Sequence, residues 1–281
     1  MDPLRAAFDR LRHRGRTALM PFIMGGEPSL AATSRLLLAL EDAGADLIEV
    51  GIPFSDPLAD GPVIQGASAR SLARGTTPAR VLDAIAAVRR RLMVPVVALS
   101  YWNPITQFAC PPLGARSRRG GNVEERSLGR FVRAAREAGL SGVIVPDLPV
   151  EESGPFRALT HREHFACICL AAPTSPPERL RLIARASQGF IYYVSVTGTT
   201  GARRSLPPTL VHGVRQLKLL TTKPVCVGFG ISTPAQAAQV AAVADGVIVG
   251  SALVRALEGA RAGQVTERAA RFVRRLRAAV S

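Results

Sequence analysis

The feature that most constrains the fold is a regular alternation of short apolar, β-branched runs with helical segments, repeated eight times. Each run has a length and composition typical of a buried strand, and each segment between two runs has the apolar period of an amphipathic helix. The predicted strands cover 18–24, 46–51, 94–101, 142–146, 165–171, 190–194, 224–228 and 246–250. The predicted helices cover 29–43, 63–73, 78–92, 128–138, 151–164, 177–186, 208–220 and 234–243, with further helices from 252 onward that end in a basic amphipathic one at 266–279.

Eight strand–helix units in one chain of 281 residues are typical of a (β/α)₈ TIM barrel, and we predict a single domain over 1–281. A doubly wound open sheet is the alternative. It would have fewer strands and a glycine-rich turn after the first of them, but Gly25-Gly26 does not match GxGxxG. An extra helix is predicted on the surface at the N-terminus, where Leu4, Phe8 and Leu11 share one face.

One segment, 109–126, departs from this alternation. Its sequence, ACPPLGARSRRGGNVEER, has no hydrophobic period and contains Pro-Pro, Gly-Gly and mixed charge. We therefore predict a mobile insertion in the loop after the third strand.

The net charge of +15 raises the question of nucleic-acid binding. All but two of the 36 basic residues are arginines, scattered over several predicted helices and the insertion, and aromatic residues make up only 5%. Base stacking would therefore have few partners, and no recognition motif accompanies the charge, so we expect no nucleic-acid function. The sequence has neither a membrane-spanning apolar run nor a signal-peptide core, which predicts a cytoplasmic protein.

Metal and nucleophilic chemistry are not favoured by the spacing of the reactive residues. The four cysteines form no CxxC pair and no zinc-like cluster with histidine, so no metal site is predicted. Cys167 and Cys169 alternate in a strand, and we expect one of them to face the core, with neither able to bridge the other. The only lysines, Lys218 and Lys223, do not lie at strand ends, which disfavours Schiff-base chemistry.

The second predicted strand contains an acid in an apolar run. Glu49 alternates with Ile48 and Val50, and a carboxylate in such surroundings has either a partner or a task. Its position near a strand end of a barrel favours a catalytic role. In the following proline-rich loop Asp56 is interpreted as a turn residue, whereas for Asp60 turn chemistry and catalysis stay equally open.

Two further groups of residues are expected at the carboxyl ends of the strands. An apolar, partly aromatic cavity around Glu49 is predicted from Phe22, Leu99, Tyr101 and Tyr192, although ordinary core packing would explain any one of them. A phosphate site is predicted at the glycine turns GFGIS (228–232) and GSAL (250–253) after the last two strands, with further donors from Thr200 and Gly201.

The motifs EVGIPFSDPLADGPVIQ, VPDLP, TGTTG, GFGIS and GSALV together resemble the tryptophan synthase alpha subunit family, from Arg16 to Leu257. The resemblance implies a lyase that cleaves indole-3-glycerol phosphate into indole and glyceraldehyde 3-phosphate in tryptophan biosynthesis. It implies that Glu49 is the general acid/base and that Asp60 accepts from the indole N–H. The positions that match the substrate and phosphate sites of the family are Phe22, Tyr192, Thr200, Gly201, Gly230, Gly250 and Ser251. Leu99, Tyr101 and Phe229 are further candidate substrate-binding residues.

The resemblance also implies a partner, a beta subunit that carries pyridoxal phosphate, in an α₂β₂ heterotetramer, with no cofactor in this chain. Two departures concern this assembly and the sixth loop. The insertion at 109–126 is not part of the family pattern, and Thr199 replaces a more usual valine. A stand-alone lyase that releases indole without a partner is the closest alternative, and a basic nucleic-acid-binding barrel is a more distant one.

Overall fold

The chain forms a closed barrel of eight parallel strands in chain order. The structure is a computed structural model that describes residues 2–108, 123–194, 207–228, 230–261 and 263–280. Its strands are β1 Ala18–Met24, β2 Ile48–Gly51, β3 Val96–Leu99, β4 Leu140–Ile144, β5 Ala166–Ala171, β6 Ile191–Val194, β7 Val225–Gly228 and β8 Gly246–Val249. The barrel closes where β1 pairs with β8, with Ala18 opposite Gly246. The TIM-barrel prediction is therefore confirmed, and the open sheet is excluded.

Twelve helices are found within the described ranges. They are α1 Pro3–His13, α2 Leu30–Asp42, α3 Pro62–Ala73, α4 Pro78–Ala86, α5 Trp102–Thr106, α6 Val123–Ala138, α7 Gly154–Arg162, α8 Pro177–Ala186, α9 Pro208–Leu220, α10 Pro234–Ala241, α11 Ser251–Leu257 and α12 Val265–Arg277. Several begin at a proline that follows a capping residue, as where Thr77 precedes Pro78 and accepts from the Arg80 N–H. None of these helices combines the length and apolar composition needed to cross a membrane.

The strands separate two apolar layers. Side chains that point outward, such as Ile48 and Val50, pack against the surrounding helices in one large cluster. Side chains that point inward, such as Phe22, Leu47 and Val97, form a second cluster within the barrel. This alternation follows from the period of two in a strand, and it places Glu49 on the inner side.

The N-terminal helix is not a simple surface helix. The apolar face of α1 is buried, since Leu4 and Phe8 belong to the inner cluster and the Phe8 and Phe190 rings lie 5.8 Å apart. Phe190 directly precedes β6, so α1 covers the amino-terminal end of the barrel. The sequence predicted the helix correctly, but only the assembled barrel supplies the surface that its apolar face covers.

Several predicted boundaries are wrong, for local reasons. The helix predicted over 78–92 ends at Ala86, after which i→i+3 hydrogen bonds such as Val88 N–H to Ile85 O replace the helical pattern. The helix predicted from Leu128 begins at Val123, inside the predicted insertion, because a polar first turn does not reveal itself by hydrophobic period. The rest of that insertion, 109–122, lies outside the described residues. The short helix α5 was not predicted.

The prediction that only one of Cys167 and Cys169 faces the core is also wrong. Both are buried in the outer cluster, because residues i and i+2 of a strand share a face. Together with Cys226 they are free thiols, whereas Cys110 lies outside the described residues.

Candidate active site

Glu49 lies inside the barrel near the carboxyl end of β2. It pairs with Phe22 of β1 on one side and with Val97 of β3 on the other, and only 1% of its surface is exposed. Within the described residues, neither of its carboxyl oxygens has a hydrogen-bond partner. Because a buried carboxyl without hydrogen bonds strongly disfavours its charged form, Glu49 has the electrostatic character of a functional group rather than a structural one.

The environment of Glu49 raises its pKa to about 8. Burial is the larger cause, and the negative charge of Asp60 is the second. Both effects oppose ionisation, so the carboxyl holds its proton at neutral pH. Such a group can donate a proton and take it back with little free-energy change, as general acid–base catalysis requires.

Asp60 lies in the loop between β2 and α3 and is half-buried. Burial raises its pKa to about 6, and a hydrogen bond from the Tyr101 hydroxyl opposes that rise. The same Tyr101 oxygen accepts from the Ala59 N–H at 2.9 Å, so it holds the loop at two adjacent residues. At neutral pH Asp60 is therefore mostly ionised beside a protonated Glu49.

Aromatic and apolar side chains surround the two acids. Phe22, Leu99 and Tyr192 are buried in the inner cluster, as the sequence predicted, and Tyr101 is buried behind the loop of Asp60. Burial raises the pKa of Tyr192, and the negative charges of Glu49 and Asp60 add to that rise. The phenol accordingly stays protonated and can serve only as a neutral donor or acceptor.

Two glycines make room for these rings. A β-carbon added at Gly51 would lie 2.7 Å from the Phe22 ring, and one at Gly228 would lie 2.4 Å from the Tyr192 hydroxyl oxygen. A larger residue at Gly51 would therefore displace the Phe22 ring, and one at Gly228 would displace the Tyr192 ring. The sequence placed Gly228 in a phosphate motif, and its steric role beside Tyr192 was not predicted.

The predicted phosphate turns follow β7 and β8 at the same end of the barrel as Glu49. Gly230 has φ of +77°, a conformation that favours glycine, and Gly250 and Ser251 form the start of α11. Gly250 also lies beside Phe22, since a β-carbon added there would be 3.6 Å from the Phe22 β-carbon. The predicted residues Thr200, Gly201 and Phe229 lie outside the described residues.

Asp56 is exposed and forms a local turn, as predicted. Its carboxylate accepts from the Ser55 hydroxyl at 2.5 Å, and its carbonyl accepts from the Leu58 N–H at 2.9 Å. The two acids of the loop therefore have different environments, because Asp56 is exposed whereas Asp60 is half-buried and its charge acts on Glu49.

Sequence reasoning missed two residues near the site. Cys226 of β7 lies inside the barrel, where burial raises the pKa of its thiol and the charge of Glu49 makes a smaller contribution in the same direction. Asp147, in the loop after β4, accepts the backbone N–H of Trp102 with both carboxylate oxygens, at 2.8 and 3.1 Å. An acid that follows a barrel strand within three residues is a signal that could have identified Asp147.

The arrangement is suited to moving protons on an apolar, ring-shaped substrate. A buried acid that is protonated at pH 7 lies within electrostatic reach of a carboxylate that is ionised at the same pH, and Phe22, Leu99 and Tyr192 are buried in the same inner cluster of the barrel. Two titratable groups whose environments separate their pKa values are the pattern expected of an acid/base pair.

Comparison with known proteins gives a consistent result over the whole chain. The family model described as "Tryptophan synthase alpha chain" matches residues 8–281. The tryptophan synthase alpha chain of Prochlorococcus marinus is 46% identical over 98% of this chain and 94% of its own length. That of Geobacter sulfurreducens is 45% identical over 100% of this chain and 99% of its own.

Solved structures agree with these sequence relatives. Tryptophan synthase subunit alpha from Legionella pneumophila superposes with a TM-score of 0.86 at 33% identity, covering 100% of this chain and 98% of that one. An aminoacrylate-bound tryptophan synthase from M. tuberculosis gives a TM-score of 0.83 at 33% identity, with 100% of both chains covered.

Proposed function

This chain belongs to the tryptophan synthase alpha chain family, and on that premise we propose that Glu49 and Asp60 carry its reaction. The protein is a lyase that cleaves indole-3-glycerol phosphate to indole and glyceraldehyde 3-phosphate in tryptophan biosynthesis. The family needs no cofactor in the alpha chain, so amino-acid side chains have to supply the proton transfers.

The reaction begins with protonation of the indole ring. Neutral Glu49 donates its proton to C3 of the indole, and the ring becomes a cation whose N–H donates to ionised Asp60. Glu49, now a carboxylate, takes the proton from the glycerol hydroxyl on the carbon attached to C3. The O–H electrons form the aldehyde carbonyl, the carbon–carbon bond breaks, and its electrons restore the neutral indole. Glu49 ends protonated, as it began.

The observation that carries this proposal is the opposite ionisation of two neighbouring carboxyls. The pKa of Glu49 is about 8 and that of Asp60 is about 6, so near pH 7 the acid holds a proton and its neighbour holds a charge. The mechanism requires that combination, because C3 needs a proton donor while the indole N–H needs an anionic acceptor.

The remaining site residues are assigned by position. Phe22, Leu99 and Tyr192 line the space beside Glu49 and supply the apolar contacts that an indole ring needs. Gly230, Gly250 and Ser251 hold the substrate phosphate through their backbone N–H groups, supported by their place after β7 and β8. For Thr200 and Gly201 of the sixth loop and for Phe229, the proposal rests on the family motifs alone.

The family works with a beta partner, and we propose that this chain does so in an α₂β₂ heterotetramer whose beta subunit carries pyridoxal phosphate. A groove of about 410 Å³ lies between the loop after β2, the start of α4, and α5, and it is the proposed docking site for the partner. Pro53, Phe54 and Pro104 are among the apolar residues that line it, and Leu58 of the same loop is 91% exposed. An apolar groove beside an exposed leucine is typical of a protein–protein contact.

Replacing Glu49 with glutamine tests the assignment. Glu49→Gln keeps the shape of the side chain but cannot transfer a proton, so indole release from indole-3-glycerol phosphate should fall by about 1,000-fold or more. Binding of a non-cleavable substrate analogue, measured by calorimetry, should persist. Full activity of the variant would remove Glu49 from the mechanism.

The same variant carries its own control for folding. A buried carboxyl with a raised pKa destabilises the native state increasingly as pH rises from its unfolded value of 4.5 toward about 8. Glu49→Gln removes that cost, so its melting temperature at pH 8 should equal or exceed that of the wild type.

Asp60→Asn should also be severely impaired in indole release. Wild-type activity of that variant would mean that Asp60 is only a turn residue.

A further inference from the structure

Asp147, which is not one of the two proposed catalytic acids, connects the loop after β4 to the residues that follow β3. The ladder between β3 and β4 ends where the Ser100 N–H donates to Ile144 O at 3.0 Å. Two residues further, the Asp147 carboxylate accepts the Trp102 N–H with both oxygens, at 2.8 and 3.1 Å. Asp147 therefore attaches the loop after β4 to the first residue of α5.

The position of Trp102 is also fixed by its side chain. Its ring packs edge-on against Phe156 of α7, with the ring centroids 5.2 Å apart, and Phe156 is fully buried. Tyr101 supplies no side-chain cap to α5, so the carboxylate from a different loop takes the place of the usual capping residue. A negative charge at that helix end is favourable for the same reason as any N-terminal cap.

Tyr101 links this attachment to the active site. Its hydroxyl oxygen accepts from the Ala59 N–H at 2.9 Å, and its O–H donates to the Asp60 carboxylate. The Tyr101 ring also packs on Phe54 of the same loop, at 5.4 Å between centroids. Since Tyr101 and Trp102 are consecutive, fixing the Trp102 N–H fixes the backbone from which the Tyr101 side chain reaches the loop.

We propose that Asp147 is a positioning residue for the reaction, acting through the Trp102 backbone and the Tyr101 hydroxyl to hold Asp60 in place. The inference rests on the proposed role of Asp60. It assigns Tyr101 primarily to orienting the acid rather than to contact with the indole ring, and it brings the loop after β4 into the reaction through Asp147.

The test uses indole release by the full-length chain across a pH series. Loss of the cap in Asp147→Ala should lower kcat/KM by about fivefold. Asp147→Ala should also shift the acidic limb of the pH profile of kcat/KM to higher pH. The reason is that the hydrogen bond from Tyr101 favours the ionised form of Asp60, so weakening that bond raises the pKa of Asp60. The other groups that act electrostatically with Asp60 are Glu49 of β2 and Tyr192 of β6, and both are unchanged in this variant.

Two further variants distinguish a relay from general damage. Asp147→Asn retains one oxygen that can accept the Trp102 N–H, so it should recover most of the activity and the wild-type limb. Tyr101→Phe should move the limb in the same direction as Asp147→Ala, and the double variant should be no worse than Tyr101→Phe alone. Glu152→Ala is the matched control, because that carboxylate is exposed on the same loop and makes no hydrogen bond or ion pair within the described residues.

The inference would be overturned if Asp147→Ala left the acidic limb of the pH profile unchanged. It would also be overturned if the decreases in kcat/KM of the two single variants multiplied in the double variant. Should Asp147→Ala fail to fold, Tyr101→Phe decides alone, since an unchanged limb there excludes the relay. Asp60→Asn is measured in parallel. Full activity of that variant refutes the role of Asp60 itself, whereas its inactivity together with an unmoved limb in Asp147→Ala refutes only the role of Asp147.

Discussion

At the scale of single residues, Glu49 shows that a sequence can identify a functional group without revealing the environment that sets its pKa. An acid in an otherwise apolar strand is expensive to bury, and that cost predicted a task for it. The value of its pKa depends on contacts that no local pattern contains, namely complete burial and the charge of Asp60. For Asp60 the sequence left turn chemistry and catalysis equally open, and its closeness to Glu49 now favours catalysis.

The two pKa values predict a bell-shaped pH dependence. Activity needs ionised Asp60 and protonated Glu49, so kcat/KM should fall below about pH 6 and again above about pH 8, with a maximum near 7. Initial rates of indole release between pH 5 and 9.5 measure both limbs. A rate that kept rising through pH 9 would contradict a protonated Glu49 as the catalytic acid.

A second residue-scale prediction concerns the space that Gly228 leaves for Tyr192. Gly228→Ala would bring a β-carbon within 2.4 Å of the Tyr192 hydroxyl oxygen and 2.6 Å of its ring. The ring must shift beside Glu49, and we expect a loss in kcat/KM of about 100-fold, as for an ångström-scale misplacement at a reacting centre. Gly154→Ala at the start of α7 is the control, because an added β-carbon there meets nothing within 4 Å.

At the scale of secondary-structure elements, the sequence predicted what local patterns encode. The bounds of β1, α8 and α9 match the predicted ones, because their apolar period and their flanking glycines and prolines mark both ends. The missed element, α5, has five residues and no amphipathic period, and its first N–H is capped by Asp147, 45 residues away in sequence. A helix stabilised by such a distant contact has no local signal to read.

The buried face of α1 predicts a measurable contribution to stability. Phe8→Ala removes a ring that packs on Phe190, and we expect a loss of about 3 kcal/mol in the free energy of unfolding. Urea denaturation followed by circular dichroism measures it. Arg10→Ala on the exposed face of the same helix should change stability by less than about 0.5 kcal/mol. Equal effects of the two substitutions would mean that α1 does not cover the barrel.

At the scale of the whole molecule, the groove beside α4 predicts how a partner binds. A cognate beta chain should stimulate indole release by the wild type, and Ala79→Arg should weaken that effect by about tenfold in partner concentration, because it places bulk and charge in an apolar groove. Turnover without partner should be unchanged, since Ala79 lies outside the site. Ala86→Arg, on the same helix but outside the groove, is the matched control. Equal turnover with and without partner would instead favour a stand-alone lyase.

What the sequence determined by itself is the order of strands and helices, the inward direction of Glu49 and the motifs of the family. These follow from periods of two and 3.6 residues and from conformational limits of glycine and proline, which act between neighbours along the chain. Only the tertiary structure decided the ionisation of Glu49 and Asp60, the surface covered by α1, the steric role of Gly228 and the attachment of Asp147 to α5. Each of these depends on desolvation, charge or contact between residues distant in sequence, and such effects exist only once the barrel has closed.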